Sequence, residues 1–159
     1  MRKTILAFQA LIILALIQSP AYSQKKTPYW ASISAGKARM RTGPGQQFPA
    51  SWLYQRSGLP VKIVETYPNW RKIEDPDGTQ GWMQANLLSD NRTALIIGET
   101  RQLREKPDEA ARILWNAEPG VIGKISGCSP DWCKFDVLGR MGYIETQYIW
   151  GAQPIERPR

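Results

Sequence analysis

The side chains best able to do chemistry in this sequence are aromatic and basic rather than nucleophilic. Seven Trp and six Tyr accompany 21 Lys+Arg, and no histidine is present. Without an imidazole, Ser-His-Asp triads, Cys-His pairs and zinc sites built on histidine are excluded. Aromatic faces can stack on sugars or pack on peptides, and an arginine can bind a carboxylate through two parallel hydrogen bonds. The composition therefore favours binding over catalysis, and we predict no catalytic residue, no metal and no cofactor.

The candidate ligand-binding residues lie in the first half of the chain. They are Arg41, Trp52, Tyr54, Trp70 and Trp82. Each aromatic member has core packing as its alternative, because large rings also fill a small core well. Alternation along residues 70–74 places Trp70 on the face opposite Ile73, unless strong coiling or a bulge turns the indole inward. Both orientations remain open at this point.

The acidic residues offer weaker candidates. Glu65, Glu74 and Glu145 could pair for glycoside hydrolysis, but nothing in the sequence brings two of them into one cleft. Asp75 and Asp77 do not have the spacing of a calcium-binding loop, so we predict that they form a turn.

The first 23 residues have the three-part plan of a cleaved secretory signal peptide. Arg2 and Lys3 precede an apolar run over residues 5–17, and a small-x-small site at residues 21–23 predicts cleavage before Gln24. The alternative is a transmembrane anchor, but this run is too short for a hydrocarbon core of about 30 Å. We therefore expect an exported protein, periplasmic or extracellular, with no transmembrane anchor.

The net charge of the mature chain limits the classes of partner that we expect. Removal of residues 1–23 takes away Arg2 and Lys3 and no acid, which leaves 19 − 14 = +5. An exported basic protein meets cell wall, anionic lipid or acidic proteins, and we expect no nucleic acid partner. The alternative is a surface that is merely soluble, since the basic residues form no run.

Two cysteines, Cys128 and Cys133, flank the segment Ser-Pro-Asp-Trp. In an oxidising compartment two nearby thiols are expected to pair. The segment predicts a hairpin loop, which places the flanking positions within disulfide reach. A redox site is the less favoured alternative, because the spacing exceeds that of C-x-x-C.

The chain also repeats itself. Four blocks recur in the same order at offsets of 61 to 63 residues: 40–41 with 103–104, 58–63 with 120–125, 69–74 with 131–136, and 81–84 with 142–145. Two copies of a module of about 60 residues are typical of small β-barrels rather than of most solenoid repeats.

Each copy consists of short strands and turn sequences. In the first copy, alternation predicts strands over 61–66, 70–74 and 79–83, with a turn at 75–78. A tight helical turn within 84–88 and a closing strand over 93–97 follow. The prediction is an all-β fold.

Four segments resemble bacterial Src-homology-3-like domains of exported cell-wall proteins: 38–45, 58–61, 69–73 and 77–82. The chain looks most similar to the subgroup with two tandem copies and no enzyme. The resemblance implies two small barrels, residues 29–97 and 98–151, followed by a flexible tail over 152–159. The second copy is degenerate, since residues 105–108 replace the Thr-Gly-Pro-Gly turn and Tyr143 replaces Trp82.

The function implied by this resemblance is binding, often to peptidoglycan or to a peptide of the cell envelope. The alternative is an interaction or scaffold subunit that docks on an exported envelope enzyme or complex. Attraction to anionic lipid through net charge alone is a third, weaker possibility.

Overall fold

Alternating apolar residues and turn sequences produce short strands throughout residues 25–154, the part of the chain that the computed structural model describes. The predicted signal peptide, residues 1–23, lies outside the described residues, as do residues 155–159 of the predicted tail. No helix within 25–154 has the length and apolarity to cross a membrane.

The first seven strands form one antiparallel sheet, which we call barrel 1. They are β1 (Tyr29–Ile33), β2 (Ala38–Arg41), β3 (Ala50–Tyr54), β4 (Pro60–Tyr67), β5 (Trp70–Glu74), β6 (Gln80–Gln84) and β7 (Leu88–Ser89). Their order across the sheet is β3-β2-β6-β5-β4-β1-β7. A single 3-10 turn, Ala85–Leu87, precedes β7 and confirms the predicted tight turn.

The next seven strands form a second sheet, barrel 2. They are β8 (Thr93–Ile96), β9 (Arg101–Arg104), β10 (Ile113–Ala117), β11 (Ile122–Ser126), β12 (Trp132–Val137), β13 (Arg140–Glu145) and β14 (Ile149–Trp150). Their order, β10-β9-β13-β12-β11-β8-β14, repeats that of barrel 1 strand for strand. The prediction of an all-β fold with two tandem small barrels is confirmed.

The predicted closing strand of the first copy belongs to the second. Thr93–Ile96 does not close barrel 1, because it pairs with β11 and β14 of barrel 2. It is the counterpart of β1: the Ile33 and Ile96 amides donate to the carbonyls of Leu59 and Val121, each at 2.9 Å. Strand composition is the same for an opening and a closing strand, so only pairing distinguishes the two.

Each barrel encloses its own apolar core. The barrel 1 core is built from Ala31, Ile33, Ala38, Met40, Tyr54, Val61, Ile63, Ile73 and Met83. The barrel 2 core is built from Ala94, Ile96, Leu103, Ala117, Ile125, Cys133, Phe135, Ile144 and Ile149. The side chains that alternate with these residues therefore lie on the outer faces of the sheets.

The two cysteines form the predicted disulfide, with Cα atoms of Cys128 and Cys133 4.1 Å apart. Cys133 belongs to the barrel 2 core, whereas Cys128 is exposed at the end of β11. The amide of Ser129 donates to the carbonyl of Trp132 at 2.8 Å, which closes the connection between β11 and β12 as a tight loop.

The barrels also contact one another. The hydroxyl of Thr93 donates to the carbonyl of Gly58 at 2.7 Å, and the guanidinium of Arg56 donates to the carbonyl of Gly120. On another side, the rings of Trp30 and Trp150 meet edge to face with centroids 4.6 Å apart. A cleft lined by residues of both barrels lies beside the contact between Arg56 and Gly120.

Candidate functional site

The five candidate residues from the sequence do not form one site. Arg41 and Trp82 are cross-strand neighbours on β2 and β6. Trp52 and Tyr54 lie on β3 and line the cleft between the barrels. Trp70, on β5, belongs to neither pair and is only 8% exposed.

Trp70 follows the predicted alternation and is nevertheless buried. Its register with β6 is unbroken, so it lies on the face opposite Ile73, yet it is only 8% exposed. The register shift between Ile63 and Glu65 adds a residue to β4 and leaves the alternation of β5 unchanged. Trp70 accordingly lies outside the barrel 1 core cluster. A buried ring cannot stack on a ligand, so Trp70 is unsuitable as a contact in this conformation.

Arg41 holds a loop in place. Its Nη1 donates to the carbonyl of Phe48 at 2.7 Å and to that of Gln46 at 3.2 Å. These bonds fix the loop between β2 and β3 beside the outer face. The equivalent residue of barrel 2, Arg104, makes the same kind of bond, from Nη1 to the carbonyl of Ala111 at 2.9 Å.

A row of side chains crosses the outer face of barrel 1. Arg41 is in register with Trp82, Trp82 with Lys72, and Lys72 with Glu65. These four residues, which we call the barrel 1 row, therefore bring an arginine, an indole and a lysine together on neighbouring strands. The row ends in an ion pair, because Nζ of Lys72 lies 3.8 Å from the Glu65 carboxylate.

Tyr67 extends the aromatic part of this face. It is 54% exposed and meets Trp82 edge to face, with centroids 6.4 Å apart. Tyr67 falls between the strands predicted over 61–66 and 70–74, and sequence reasoning does not include it among the site residues. The available signal was an aromatic residue immediately before the Pro-Asn turn that leads into β5.

The cleft between the barrels has a volume of about 260 Å³. Its lining residues include Trp52, Tyr54, Arg56, Asp77 and Leu95. Trp52 is 60% exposed, which makes it the most accessible tryptophan among the described exposed hydrophobic residues. An aromatic surface of this kind is available to a ligand.

Tyr54 is anchored rather than free. Its hydroxyl donates to Oδ2 of buried Asp75 at 2.8 Å. Oδ1 of Asp75 accepts the amides of Asp77 and Thr79 at 3.1 and 2.8 Å, which confirms the predicted turn. Burial, and then the bond to Asp75, raise the pKa of Tyr54 above its usual range. Tyr54 therefore supports the wall of the cleft as a neutral phenol.

Each carboxylate considered for hydrolysis contacts a different side chain. Glu65 contacts Lys72, Glu74 lies 3.4 Å from Nζ of Lys62, and Glu145 accepts a hydrogen bond from Gln147. Within residues 25–154 no group of three or more His, Cys, Asp or Glu side chains could hold a metal ion.

Comparison with known protein families identifies the family of this chain. The family described as bacterial SH3 domain matches residues 34–90 and, a second time, residues 98–151. The chain belongs to the bacterial SH3 domain family. The two matches confirm the tandem arrangement that the sequence predicts.

Other comparisons give weaker likenesses. No curated protein matches the sequence significantly. Solved structures that are similar to this chain include NlpC1 from Trichomonas vaginalis, at 12% identity and a TM-score of 0.33, covering 81% of this chain and 48% of that one. Another is an NlpC/P60 family protein from Bacillus cereus, at 13% identity and a TM-score of 0.35, covering 76% and 55%. The chain thus spans about half the length of these structures, and likeness at this level carries no argument about activity.

The second SH3 domain carries a related row. Arg104 is in register with Tyr143, Tyr143 with Lys134, and Lys134 with Ser126. The aromatic residue is smaller than in barrel 1, and a serine ends the row where barrel 1 has Glu65. The row of barrel 2 therefore has basic and aromatic residues at the same positions as the row of barrel 1 and lacks its acid.

Proposed function

We propose that this bacterial SH3 protein is a non-catalytic binding module of the cell envelope, and that barrel 1 recognises peptidoglycan or an envelope peptide. The observation that carries the proposal is the position of Trp82. It lies in register between Arg41 and Lys72, with the exposed ring of Tyr67 at its edge.

The chemistry of this face suits a ligand with both apolar and anionic parts. Trp82 and Tyr67 offer ring faces and edges for a sugar or a peptide side chain. Both loop bonds of Arg41 use Nη1, and within residues 25–154 its other guanidinium nitrogens make no hydrogen bond. They can therefore donate to a carboxylate in the paired geometry that guanidinium favours.

The cleft offers a second contact for a longer ligand. Trp52 is exposed there, and the Tyr54–Asp75 bond fixes the wall beside it. A polymer bound along barrel 1 could reach both places. Trp52 and Tyr54 thus stay in the proposal as a secondary region, with Arg41 and Trp82 as its centre.

Non-catalytic action is part of the same proposal. The chain has no histidine, and the two glutamates nearest the row are engaged by lysines. A general acid must be able to reach the substrate, whereas these carboxylates contact lysine ammonium groups.

A second candidate function is docking on an exported enzyme or envelope complex. Strands β3 and β10, each at one edge of its sheet, carry exposed apolar residues, which include Leu53, Ile113 and Leu114. An edge strand with apolar side chains can add a strand from a partner protein. This use of the molecule requires neither the row nor a wall ligand.

The test is co-sedimentation of the mature protein, residues 24–159, with purified cell-wall sacculi at about 0.05 and about 0.5 M salt. We expect binding that survives the higher salt concentration and is lost in Trp82→Ala. Tyr143→Ala is the matched control, because it removes the aromatic residue at the equivalent position of barrel 2. Trp52→Ala reports whether the cleft takes part.

Each outcome of the co-sedimentation experiment tests a different part of the proposal. Binding that disappears at high salt indicates charge alone and contradicts recognition by the aromatic row. Failure to sediment at either salt concentration overturns the wall proposal, and cross-linking in envelope extracts then tests the docking function. Equal loss in Trp82→Ala and Tyr143→Ala removes the assignment to barrel 1.

A further inference from the structure

The two barrels differ most in how they neutralise a pair of equivalent lysines. Lys62 and Lys72 of barrel 1 correspond to Lys124 and Lys134 of barrel 2, each at an offset of 62. In both barrels the pair lies diagonally across two neighbouring strands of the outer face. The same geometry therefore occurs twice with different surroundings.

In barrel 1 both lysines face carboxylates. Lys62 lies 3.4 Å from Glu74, and Lys72 lies 3.8 Å from Glu65. Two lysines and two glutamates sum to zero, so this part of barrel 1 carries no net charge.

Among the described residues, the two lysines of barrel 2 lack carboxylate partners of this kind. Ser126 stands opposite Lys134, and no carboxylate lies within 4.0 Å of either lysine among residues 25–154. Asp136 is in register with Lys124, but its Oδ1 accepts the amide of Gly139 at 2.7 Å. The Asp136 carboxylate is therefore hydrogen-bonded within the turn between β12 and β13.

Arg92 adds a third cation. Its carbonyl accepts the amide of Ile125 at 3.0 Å, which places residue 92 beside β11. Its Nη2 donates to the carbonyl of Gly151 at 2.8 Å, which restrains the guanidinium. Arg92, Lys124, Lys134, Ser126 and Asp136 line one cavity of about 340 Å³.

We propose that this cavity, the barrel 2 basic cavity, binds a phosphate monoester. Three cations and one carboxylate give it a charge of 3 − 1 = +2. A phosphate monoester carries about −1.5 to −2 at neutral pH and presents three acceptor oxygens. Lysine ammonium groups act as point charges on such a group, and the Ser126 hydroxyl is a further donor.

A planar, singly charged carboxylate fits the cavity less well. It neutralises only half of the charge, and its preferred partner is a guanidinium fork, whereas one end of Arg92 is already bound to Gly151. The inference concerns barrel 2 and does not depend on the function proposed for barrel 1.

The experiment is an NMR titration of mature protein, residues 24–159, with inorganic phosphate at about 0.15 M salt. We expect the largest amide shifts around Ser126 and Lys134. The double variant Lys124→Gln/Lys134→Gln is expected to bind about tenfold or more weakly, since charged hydrogen bonds are lost. Lys37→Gln/Lys62→Gln is the control: it makes the same change in net charge in barrel 1, outside the barrel 1 row, and is expected to bind as the wild type does.

Vesicles distinguish the source of the phosphate. Phosphatidylcholine vesicles with phosphatidic acid present a lipid monoester, and vesicles of phosphatidylcholine alone are the control. If the protein binds vesicles with phosphatidic acid and soluble phosphate displaces it from them, the ligand is a lipid headgroup. If the protein binds soluble phosphate but not these vesicles, the ligand is a free or polymer-borne phosphate. Equal weakening in the two double variants, equally strong binding of acetate, or no shift with either phosphate probe would overturn the proposal.

Discussion

The hydroxyl of Tyr54 donates a 2.8 Å hydrogen bond to the carboxylate of Asp75, and both side chains are buried. This bond ties β3 to the turn between β5 and β6, because the same carboxylate also holds the amides of Asp77 and Thr79. The equivalent positions of barrel 2 are Ala117 and Val137, so two apolar residues take the place of the buried polar pair.

Tyr54→Phe is therefore expected to destabilise the protein. It removes a donor from a buried carboxylate, which costs about 1–2 kcal/mol in the free energy of unfolding. Urea denaturation at neutral pH measures the loss. Tyr67→Phe is the matched control, because Tyr67 is exposed and its change is expected to be near zero.

The same pair predicts a pH dependence. Folding raises the pKa of Tyr54, so the unfolded chain releases this proton first, near pH 10. The stabilising contribution is complete below about pH 10 and is lost as the pH rises above it, by up to about 1.4 kcal/mol per pH unit. The free energy of unfolding of wild type should thus fall more steeply than that of Tyr54→Phe in alkaline urea titrations. Parallel curves would contradict this.

Arg41→Ala is expected to loosen the loop between β2 and β3. The variant loses the bonds to the carbonyls of Gln46 and Phe48, at a cost of about 1 kcal/mol. Hydrogen exchange should accelerate over residues 42–49 while the amides of β4 and β5 stay protected. Unchanged exchange in the loop would show that Arg41 does not hold it.

Leu138→Asn is expected to stabilise barrel 2. Leu138 has φ of 52° and is fully exposed in a two-residue turn before Gly139, which has φ of 90°. A left-handed leucine is strained, and Asn-Gly is the preferred sequence for such a turn, so we expect a gain of about 0.5–1 kcal/mol. Leu138→Ala is the control, because alanine does not have the preference of asparagine for this turn. Thermal denaturation that ranks Asn no higher than Ala would refute the prediction.

Removal of the disulfide should destabilise the protein by about 2 kcal/mol on the loop-entropy model. The double variant Cys128→Ser/Cys133→Ser tests this, with Cys128→Ser alone as a comparison, because only Cys133 is buried. Denaturation of wild type with and without reductant gives a second measure. If the double variant were destabilised only because it buries a serine hydroxyl in place of the Cys133 sulfur, the reduced wild type would be as stable as the oxidised protein.

Local sequence patterns predicted most of the fold. The repeat blocks indicated the two barrels, and the Asp75–Gly78 turn and the disulfide loop depend on residues close in sequence. The assignment of β8 was wrong because it depends on pairing with β11 and β14, which no local pattern reveals. The face of Trp70 followed from alternation, but its burial did not, because the neighbours that cover an outward side chain come from the tertiary structure.

The candidate site was only partly predictable. Aromatic and basic residue types pointed to Arg41 and Trp82, but their alignment with Lys72 and Glu65 is a property of cross-strand register. The contrast between the lysine pairs of the two barrels has the same origin. It requires knowing that Ser126, and not an acid, stands opposite Lys134.

The position of β8 affects where this protein can be divided. Only residues 90–92 separate β7 from β8, and the second family match begins at residue 98, after β8 has ended. A fragment cut at that point would lose the strand that lies between β11 and β14, and would expose two unpaired sheet edges to aggregation. A gene duplication that yields a self-sufficient unit must therefore copy a segment that starts upstream of Thr93. That start lies within a few residues of Ser89, where β7 of barrel 1 ends.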